Sequence, residues 1–379
     1  MKRISGLSEV NSVLYIKVSR AAKEGAYPGV YLYKGGFYFM SKKWFGIALS
    51  AALIGTAMCA IPAAAEEADV ADKKVGICIY QFADNFMTLF RGELENYLVD
   101  QGFTAENITI QDGKNDINEQ SNQIDAFIAD GVDALIINLV DPSNAPTVTD
   151  KVVAAGIPLV YINREPEESE EQRWADNGWN VTYVGCDARQ SGTYQGEIIA
   201  DLGIDAIDFN GNGKVDYVMV MGDPANSDAQ YRTEFSIKAV EEAGLEVNAL
   251  RDTQIGNWQQ EEGNRIVTND LAQFADDLEV VFCNNDAMAL GALEAIKAAG
   301  RTVGEDIYLV GVDALDEAID DVIDGSMTGT VFNNHIAQAD GAADAAIAFL
   351  AGEAQDVQQY CDYVKVTKEN AEDIKALLQ

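Results

Sequence analysis

The sequence predicts an α/β fold with two lobes, each built on a parallel β-sheet. From Val75 onward, short apolar runs rich in β-branched residues alternate with stretches of helical length, which is the pattern of repeated βαβ units. The runs form two successive series that separate near residue 187. Because each series is long enough to make a sheet of its own, two lobes are expected.

Each apolar run is a predicted strand because branched and aromatic residues suit a buried, pleated surface. The first series contains VGICIY (75–80), NITIQDG (107–113), ALIINL (134–139), PLVYIN (158–163) and VTYVGCD (181–187). The second contains VDYVMVMG (215–222), LEVNALRDT (245–253), LEVVFCNND (278–286), IYLVGVDA (307–314) and GTVFNN (329–334). The intervening segments can hold the crossover helices that parallel strands require.

The chain carries a large excess of acidic side chains. It has 62 aspartates and glutamates against 26 lysines and arginines, a formal net charge of −36 over 379 residues. This charge repels the phosphate backbone of nucleic acids and anionic membrane surfaces, so both are poor partners and no nucleic-acid binding is expected.

Residues 40–65 have the order of a secretory signal peptide: two lysines, an apolar run and the small residues 63–65. The apolar run is near the short limit for a membrane-spanning helix, so cleavage after Ala65 is favoured over a membrane anchor. An acidic linker, 66–72, follows. The mature protein is therefore predicted to be periplasmic or extracellular.

Two further features of the N-terminal region bear on export. Cys59 raises the alternative of a lipoprotein, but Met58 directly before it is a poor match to the small residue of such processing sites. Residues 1–39 lie upstream of a signal that should begin a chain, which indicates a mis-assigned start.

Four cysteines remain after the predicted cleavage site. Three of the four lie in or beside apolar strand-like runs, and none has the two-residue spacing of a zinc knuckle. We expect buried free thiols rather than disulfides or a zinc site at these positions: Cys78, Cys186, Cys283 and Cys361.

Polar residues follow most of the predicted strands, where parallel sheets place their ligand crevice. Asparagine, aspartate and arginine suit a neutral polyhydroxylated ligand, because each hydroxyl both donates and accepts hydrogen bonds. No phosphate-binding glycine motif is present. Any one of these residues could instead cap a helix, but their recurrence favours a site. The residues are Asp84, Asn85, Phe86, Asn163, Arg164, Glu165, Asn226, Asp228, Arg232, Asn284, Asn285, Asp286, Asp313 and Asn333.

Residues 208–216 match the first nine positions of an EF-hand calcium loop, with glycine at position 6. The predicted ligands are Asp208, Asn210, Asn212, the Lys214 carbonyl and Asp216. Position 12 is Met219, so a closing carboxylate must come from elsewhere. The competing interpretation is an Asn/Gly-rich turn before a strand. A strand directly after the loop favours a structural calcium site over a switch.

Several segments together resemble the periplasmic galactose/glucose-binding proteins, from about residue 73 to the C-terminus. The matching segments are VGICIYQFADNFM, ALIINLVDP, PLVYINREP, DFNGNGKVD, GDPANSDAQYR, EVVFCNNDAMALGALEAIKA, VGVDAL and GTVFNN. The resemblance implies a type I binding protein with two doubly wound lobes joined by a three-crossing hinge. The implied lobes are 73–185 plus 335–362 and 186–334 plus 363–379.

The resemblance also implies a function and a site. The protein would close on galactose or glucose as a monomer and deliver it to an ABC permease, and in some members to a chemoreceptor. Phe86 and Trp258 would stack on the sugar, and Glu279 would complete the calcium shell. The implied hydrogen-bonding residues are Asp84, Asn163, Asn226, Asp228, Arg232, Asn285, Asp313 and Asn333.

Two departures from the family leave the exact sugar open. The family has a histidine where this chain has Asn226, and the segment before Trp258 is two residues longer. Ribose or another sugar is therefore an alternative ligand.

Two other classes of protein compete with a receptor. A sugar-acting enzyme would use paired carboxylates. Such pairs occur by chance in so acidic a chain, so they are weak evidence for an enzyme. A repressor would need a basic helix-turn-helix before the first strand, where the signal peptide stands instead. The sole histidine, His335, is expected in a surface or hinge role, and the protein is predicted not to be an enzyme.

Overall fold

The computed structural model describes residues 69–378, which form two parallel sheets flanked by helices. The predicted signal peptide, its cleavage site, Cys59 and residues 1–39 lie outside the described residues. None of the helices within 69–378 is long and apolar enough to cross a membrane.

The bounds of the elements follow the predicted alternation of strands and helices. The strands are β1 (Val75–Ile79), β2 (Ile108–Asp112), β3 (Ala134–Ile137), β4 (Leu159–Ile162), β5 (Val181–Cys186), β6 (Val215–Met221), β7 (Val247–Ala249), β8 (Gln254–Ile255), β9 (Val280–Cys283), β10 (Tyr308–Val310), β11 (Thr330–Phe332), β12 (Gln358–Cys361) and β13 (Val364–Val366). The α-helices are α1 (Asn85–Asp100), α2 (Ile117–Asp130), α3 (Ala145–Ala154), α4 (Glu168–Asn177), α5 (Ala188–Ala200), α6 (Ile204–Ile207), α7 (Ser227–Glu242), α8 (Gln260–Phe274), α9 (Asp286–Ala298), α10 (Asp316–Asp324), α11 (His335–Leu350) and α12 (Ala371–Leu378).

The two main sheets are parallel throughout. The first has the order β12-β5-β4-β3-β1-β2, and the second has the order β10-β9-β6-β7 with β8 beside β6. A small antiparallel pair, β11 with β13, is bridged to the end of the second sheet through Asp313 and Phe332. The predicted α/β fold with two parallel sheets is thus confirmed.

The core of the first lobe shows why its strands read as continuous apolar runs. Val75, Ile77 and Ile79 of β1 pack on α1 and α11, whereas Cys78 faces the opposite cluster with Trp174 of α4. Helices cover both faces, so every position of β1 is buried. This double burial is what makes such strands easy to recognise in the sequence.

The chain passes between the two sheets three times. It leaves the first sheet after Cys186, returns after Phe332 into α11, and leaves again between Cys361 and Val364. Helix α5 then packs on α7 of the second lobe, and α11 packs on α1 of the first. The exact lobe boundaries given above remain a proposal.

Candidate functional site

A cavity of about 30 Å³ lies between the lobes, at the carboxyl ends of the strands. All ten residues predicted to contact a ligand line it. They are Asp84, Phe86, Asn163, Asn226, Asp228, Arg232, Trp258, Asn285, Asp313 and Asn333. Three further lining residues were not among these ten: Tyr80, Met87 and Arg164.

Three of the predicted residues also cap helices. Asp84 accepts a hydrogen bond from the Met87 amide at 2.8 Å at the start of α1. Asn226 and Asn285 cap α7 and α9 with their Oδ1 atoms. The Asn285 NH₂ group donates to the Trp258 carbonyl at 3.3 Å. Both asparagines line the cavity as well as capping a helix, so the capping and ligand-binding interpretations are compatible.

The first-lobe wall is organised around Arg164. Its guanidinium lies 3.7 Å from the centre of the Tyr80 ring and donates to the Val140 carbonyl. The Tyr80 hydroxyl in turn donates to Asp84 at 2.5 Å. Arg164 also pairs at 3.7 Å with Asp223, which follows β6 in the second lobe. This arginine therefore joins one wall of the cavity to the opposite lobe.

Arg232 organises the second-lobe wall. It donates to the Asn284 carbonyl at 2.9 Å and to the Tyr363 hydroxyl at 3.1 Å. It lies 3.4 Å from Asp228 and 3.9 Å from Asp313. Burial raises the pKa of both carboxyls, and Arg232 partly offsets this rise. The arginine thus holds two buried carboxyl groups at fixed positions on the cavity wall.

Asp313 reaches the cavity from a strained backbone. Its φ is 124°, a region that costs a non-glycine residue about 1–3 kcal/mol. The Asp313 amide donates to the Val331 carbonyl at 2.8 Å, and its carboxylate accepts from the Asn333 amide at 3.2 Å. These contacts fix an aspartate at a place that a relaxed strand end would not reach.

Two buried donors on residues of the cavity wall, Arg232 Nε and Trp258 Nε1, lack a hydrogen-bond partner within residues 69–378. A buried donor left unsatisfied costs about 1–3 kcal/mol. The Trp258 ring lies across Gly222, where a Cβ would come within 2.3 Å of it. The ring and its N–H are therefore held in place beside the cavity.

The sole histidine lies at the second crossing, in agreement with the hinge alternative, and it is buried, so the surface alternative is wrong. His335 begins α11 and meets Phe86 and Phe332 edge-on. Burial lowers its pKa to about 4. It is therefore neutral at ordinary pH and belongs to the apolar layer behind Phe86.

The 208–216 loop contacts Glu279, the residue that the family resemblance places in the calcium shell, and these contacts are protein hydrogen bonds. Glu279 is fully buried, and its carboxylate accepts from the amides of Phe209, Asn210 and Asp216 at 2.7–3.2 Å. Burial raises the pKa of Glu279, and these donors partly offset that rise. No lysine or arginine of the described chain forms an ion pair with Glu279.

The loop side chains converge on Asp216. The amides of Asn210, Asn212 and Asn248 donate to its carboxylate at 2.5–2.6 Å, while Asp208 accepts from loop backbone amides. Within residues 69–378, no group of three His, Cys, Asp or Glu side chains is close enough to hold a metal as it stands. The donor set is mixed, with carboxylates and carboxamides, which is a composition that suits calcium.

A second, larger groove of about 730 Å³ opens between the lobes, and glutamates dominate one wall. Glu171 is 3% exposed, and one of its oxygens accepts from Gln358 at 2.6 Å. Its other oxygen has no partner in the described part of the chain. Burial, together with the charge of Glu165, raises the pKa of Glu171 to about 8.

This raised pKa predicts a pH-dependent loss of stability. Because the folded pKa lies above that of the unfolded chain, ionisation of Glu171 opposes folding as the pH rises from about 4.5 to about 8. We expect Glu171→Gln to keep the contact with Gln358 and to remove this loss. One pKa unit is worth about 1.4 kcal/mol, and groove water reduces the effect, so the expected difference is about 1–2 kcal/mol.

The measurement is urea unfolding of the wild type and the variant at pH 5 to 9. Glu95→Gln, at an exposed position of α1, is the matched control and should keep the wild-type slope. Parallel stability curves for wild type and Glu171→Gln would contradict the prediction.

Two parallel-sheet lobes that meet around a polar cavity define a substrate-binding protein of the type I class. Residues 75–354 match the family model described as a periplasmic binding protein domain. The chain belongs to this family.

Three relatives show how the ligand varies among similar proteins. The D-galactose/methyl-galactoside-binding periplasmic protein of Haemophilus influenzae is 37% identical over 276 residues, which cover 71% of this chain and 78% of the relative. A putative rhizopine-binding protein of Rhizobium meliloti is 34% identical over 322 residues, 84% and 96% of the two chains. A solute-binding protein of an ABC transporter from Bacillus halodurans, solved with bound myo-inositol, is 27% identical with a TM-score of 0.69 and covers 82% and 99%.

These relatives are substrate-binding proteins and not enzymes. Together with the family match, they identify the chain as a sugar-binding receptor of an ABC transport system. The named ligand differs from one relative to another, so the relatives do not identify the ligand of this chain.

Proposed function

We propose that the protein binds one galactose or glucose molecule in the cavity between its lobes and delivers it to an ABC permease. The observation that carries this proposal is the pair of unpartnered buried donors, Arg232 Nε and Trp258 Nε1, beside a wall rich in carboxylates. Sugar hydroxyls can accept from such donors and donate to the carboxylates at once.

The charges of the cavity support a neutral ligand. Three carboxyl groups line it, from Asp84, Asp228 and Asp313, together with the guanidinium groups of Arg164 and Arg232. These charges nearly balance, whereas a sugar phosphate would need a clear excess of positive charge. Phe86 and Trp258 supply aromatic surface for the C–H faces of a pyranose ring.

The test is isothermal titration of the purified protein with galactose, glucose, ribose and myo-inositol. One-to-one binding that is tightest for a hexose supports the proposal. No heat with galactose or glucose would overturn it.

A related polyol is the second candidate, and Asn226 is the observation that favours it. Asn226 caps α7 through Oδ1, which leaves its NH₂ group as the donor at the position of the family's histidine. The shorter side chain changes which ring substituent can be reached. Tightest binding of ribose or myo-inositol in the same titration would select this candidate.

Two further parts of the proposal concern partners and export. Cleavage after Ala65 would release the receptor, and N-terminal sequencing of the secreted protein tests that site against lipidation at Cys59. A chemoreceptor as second membrane partner, and a monomeric state, are proposed from the family resemblance alone.

We also propose a structural calcium ion held by the 208–216 loop and Glu279. Asp208, Asn210, Asn212, the Lys214 carbonyl, Asp216 and Glu279 would hold it. A buried carboxylate without an ion pair supports this proposal, because buried charges are normally paired or coordinate metals. When bound, the ion would neutralise the carboxylates and tie the loop to β9.

Removal of calcium is therefore expected to lower the thermal stability. At a calcium concentration about 100 times the dissociation constant, binding to the folded state alone adds about 2.7 kcal/mol. The measurement is the melting temperature in calcium and in excess chelator. Glu279→Gln should make the two values equal, and a wild-type melting temperature that does not respond to chelator would contradict the site.

A further inference from the structure

Two cysteines face each other where the chain crosses between the lobes. Strands β5 and β12 are parallel neighbours, and Cys186 is registered directly opposite Cys361 as their last pair. Neighbouring strands lie about 4.8 Å apart, and registered residues of a parallel pair present their side chains on the same face. Disulfides span Cα separations of about 4.4–6.8 Å, so the backbone already has a suitable spacing.

The contacts of Cys186 extend to all three crossings. Cys186 ends the first crossing strand, and its thiol interacts with the Cys361 thiol of the third crossing. The backbone amide of Asn334, in the second crossing, lies near enough to offset part of the rise that burial causes in the pKa of the Cys186 thiol. A covalent change at this sulfur would therefore affect the backbone at all three crossings between the lobes.

The pair differs from the other two cysteines of the described chain. Cys78 lies within β1 and Cys283 within β9, in different sheets, and both are buried. Cys361 is partly exposed, so the expectation of a buried thiol is wrong at this position, whereas Cys186 is 4% exposed. A reagent in solution can thus reach one member of the pair directly.

We propose that Cys186 and Cys361 form a modification site, a dithiol that oxidises to a disulfide and restrains the hinge. The oxidant is a disulfide-bonded donor, either a small molecule or a protein, as found in oxidising compartments. The proposal does not depend on which sugar the cavity binds.

The exchange proceeds in two balanced steps. The Cys361 sulfur attacks one donor sulfur as a thiolate, which forms a mixed disulfide and releases the first donor thiol. The Cys186 sulfur then attacks the Cys361 sulfur, which forms the intramolecular disulfide and releases the second donor thiol. The two S–H protons pass to the departing donor thiolates, and the two electrons lost by the cysteine pair reduce the donor.

The site is tested by incubating the native full chain with oxidised glutathione and mapping its peptides without reduction. We expect a peptide that joins Cys186 to Cys361, two hydrogens lighter than the two reduced peptides together, and the loss of two free thiols. Cys361→Ser should abolish the joined peptide, and Cys78→Ser, the matched control, should keep it. Free thiols at both positions, or a link to another cysteine, would overturn the proposal.

Restraint of the hinge is tested separately by amide hydrogen exchange without sugar. The oxidised protein should exchange more slowly than the reduced protein at residues 332–335 and 361–364, and oxidant should leave the exchange of Cys361→Ser unchanged. If the disulfide forms but exchange at these crossings stays the same, the proposed restraint is wrong.

Discussion

Replacement of Arg232 by alanine is expected to weaken sugar binding by at least about 30-fold, or about 2 kcal/mol. Arg232 is the cation next to the buried carboxyl groups of Asp228 and Asp313. Without it, burial would raise the pKa of both further and favour their neutral forms, and the ligand would lose a donor. The Asn284 carbonyl and the Tyr363 hydroxyl would lose their partner as well.

Titration with the tightest-binding sugar measures this effect, and thermal unfolding without sugar shows whether the variant is folded. Arg232→Lys should restore little affinity, because a single ammonium cannot reach the partners of the planar guanidinium together. Arg265→Ala removes an arginine from an exposed pair with Glu262 and serves as the matched control. An affinity for Arg232→Ala within about threefold of wild type would remove Arg232 from the site.

Replacement of Gly291 by alanine is expected to destabilise the fold by about 1–3 kcal/mol. Helices α8 and α9 cross closely at this residue, and a Cβ here would lie 1.9 Å from the Gln260 carbonyl oxygen and 2.8 Å from the Asn264 amide nitrogen. Both atoms belong to the α8 backbone, so no side chain can move aside. The helices would have to separate.

Gly92→Ala is the matched control, and it is expected to increase the free energy of unfolding instead of lowering it. Gly92 lies inside α1, and no heavy atom of the described chain lies within 4 Å of a Cβ placed there, apart from its own helix and neighbours. Alanine should therefore add about 0.5–1 kcal/mol through its better helix propensity. Urea unfolding measures both variants, and equal changes in the two would contradict the close approach at Gly291.

All ten predicted strands are present, because strands buried on both faces appear in the sequence as continuous apolar runs. The observed strands are shorter than the predicted ones. The largest difference is at 245–253, where the strand is only Val247–Ala249. Strands β8, β12 and β13 were missed. β12 is the clearest case, since QQYC is half polar and forms a strand only because the returning chain pairs with β5.

The cavity could be predicted because parallel sheets bring their carboxyl ends together, and sequence order locates those ends. Tyr80 and Met87 could not be distinguished from core residues, because the sequence does not show whether an aromatic or apolar side chain lines a cavity or packs in the core. Arg164 stood at a predicted strand end, but its stacking on Tyr80 and its pairing with Asp223 depend on how two separate segments meet in space. Such contacts leave no local pattern in the sequence.

The ion pair between Arg164 and Asp223 separates how tightly the receptor holds a ligand from which ligand it prefers. Asp223 does not line the cavity, yet its contact with Arg164 forms only when the lobes meet. A change at Asp223 that leaves Arg164 in place would alter the population of the shut state and would scale the affinity for every ligand by the same factor. The concentration range over which the receptor responds could therefore drift during evolution while its ranking of sugars stays constant.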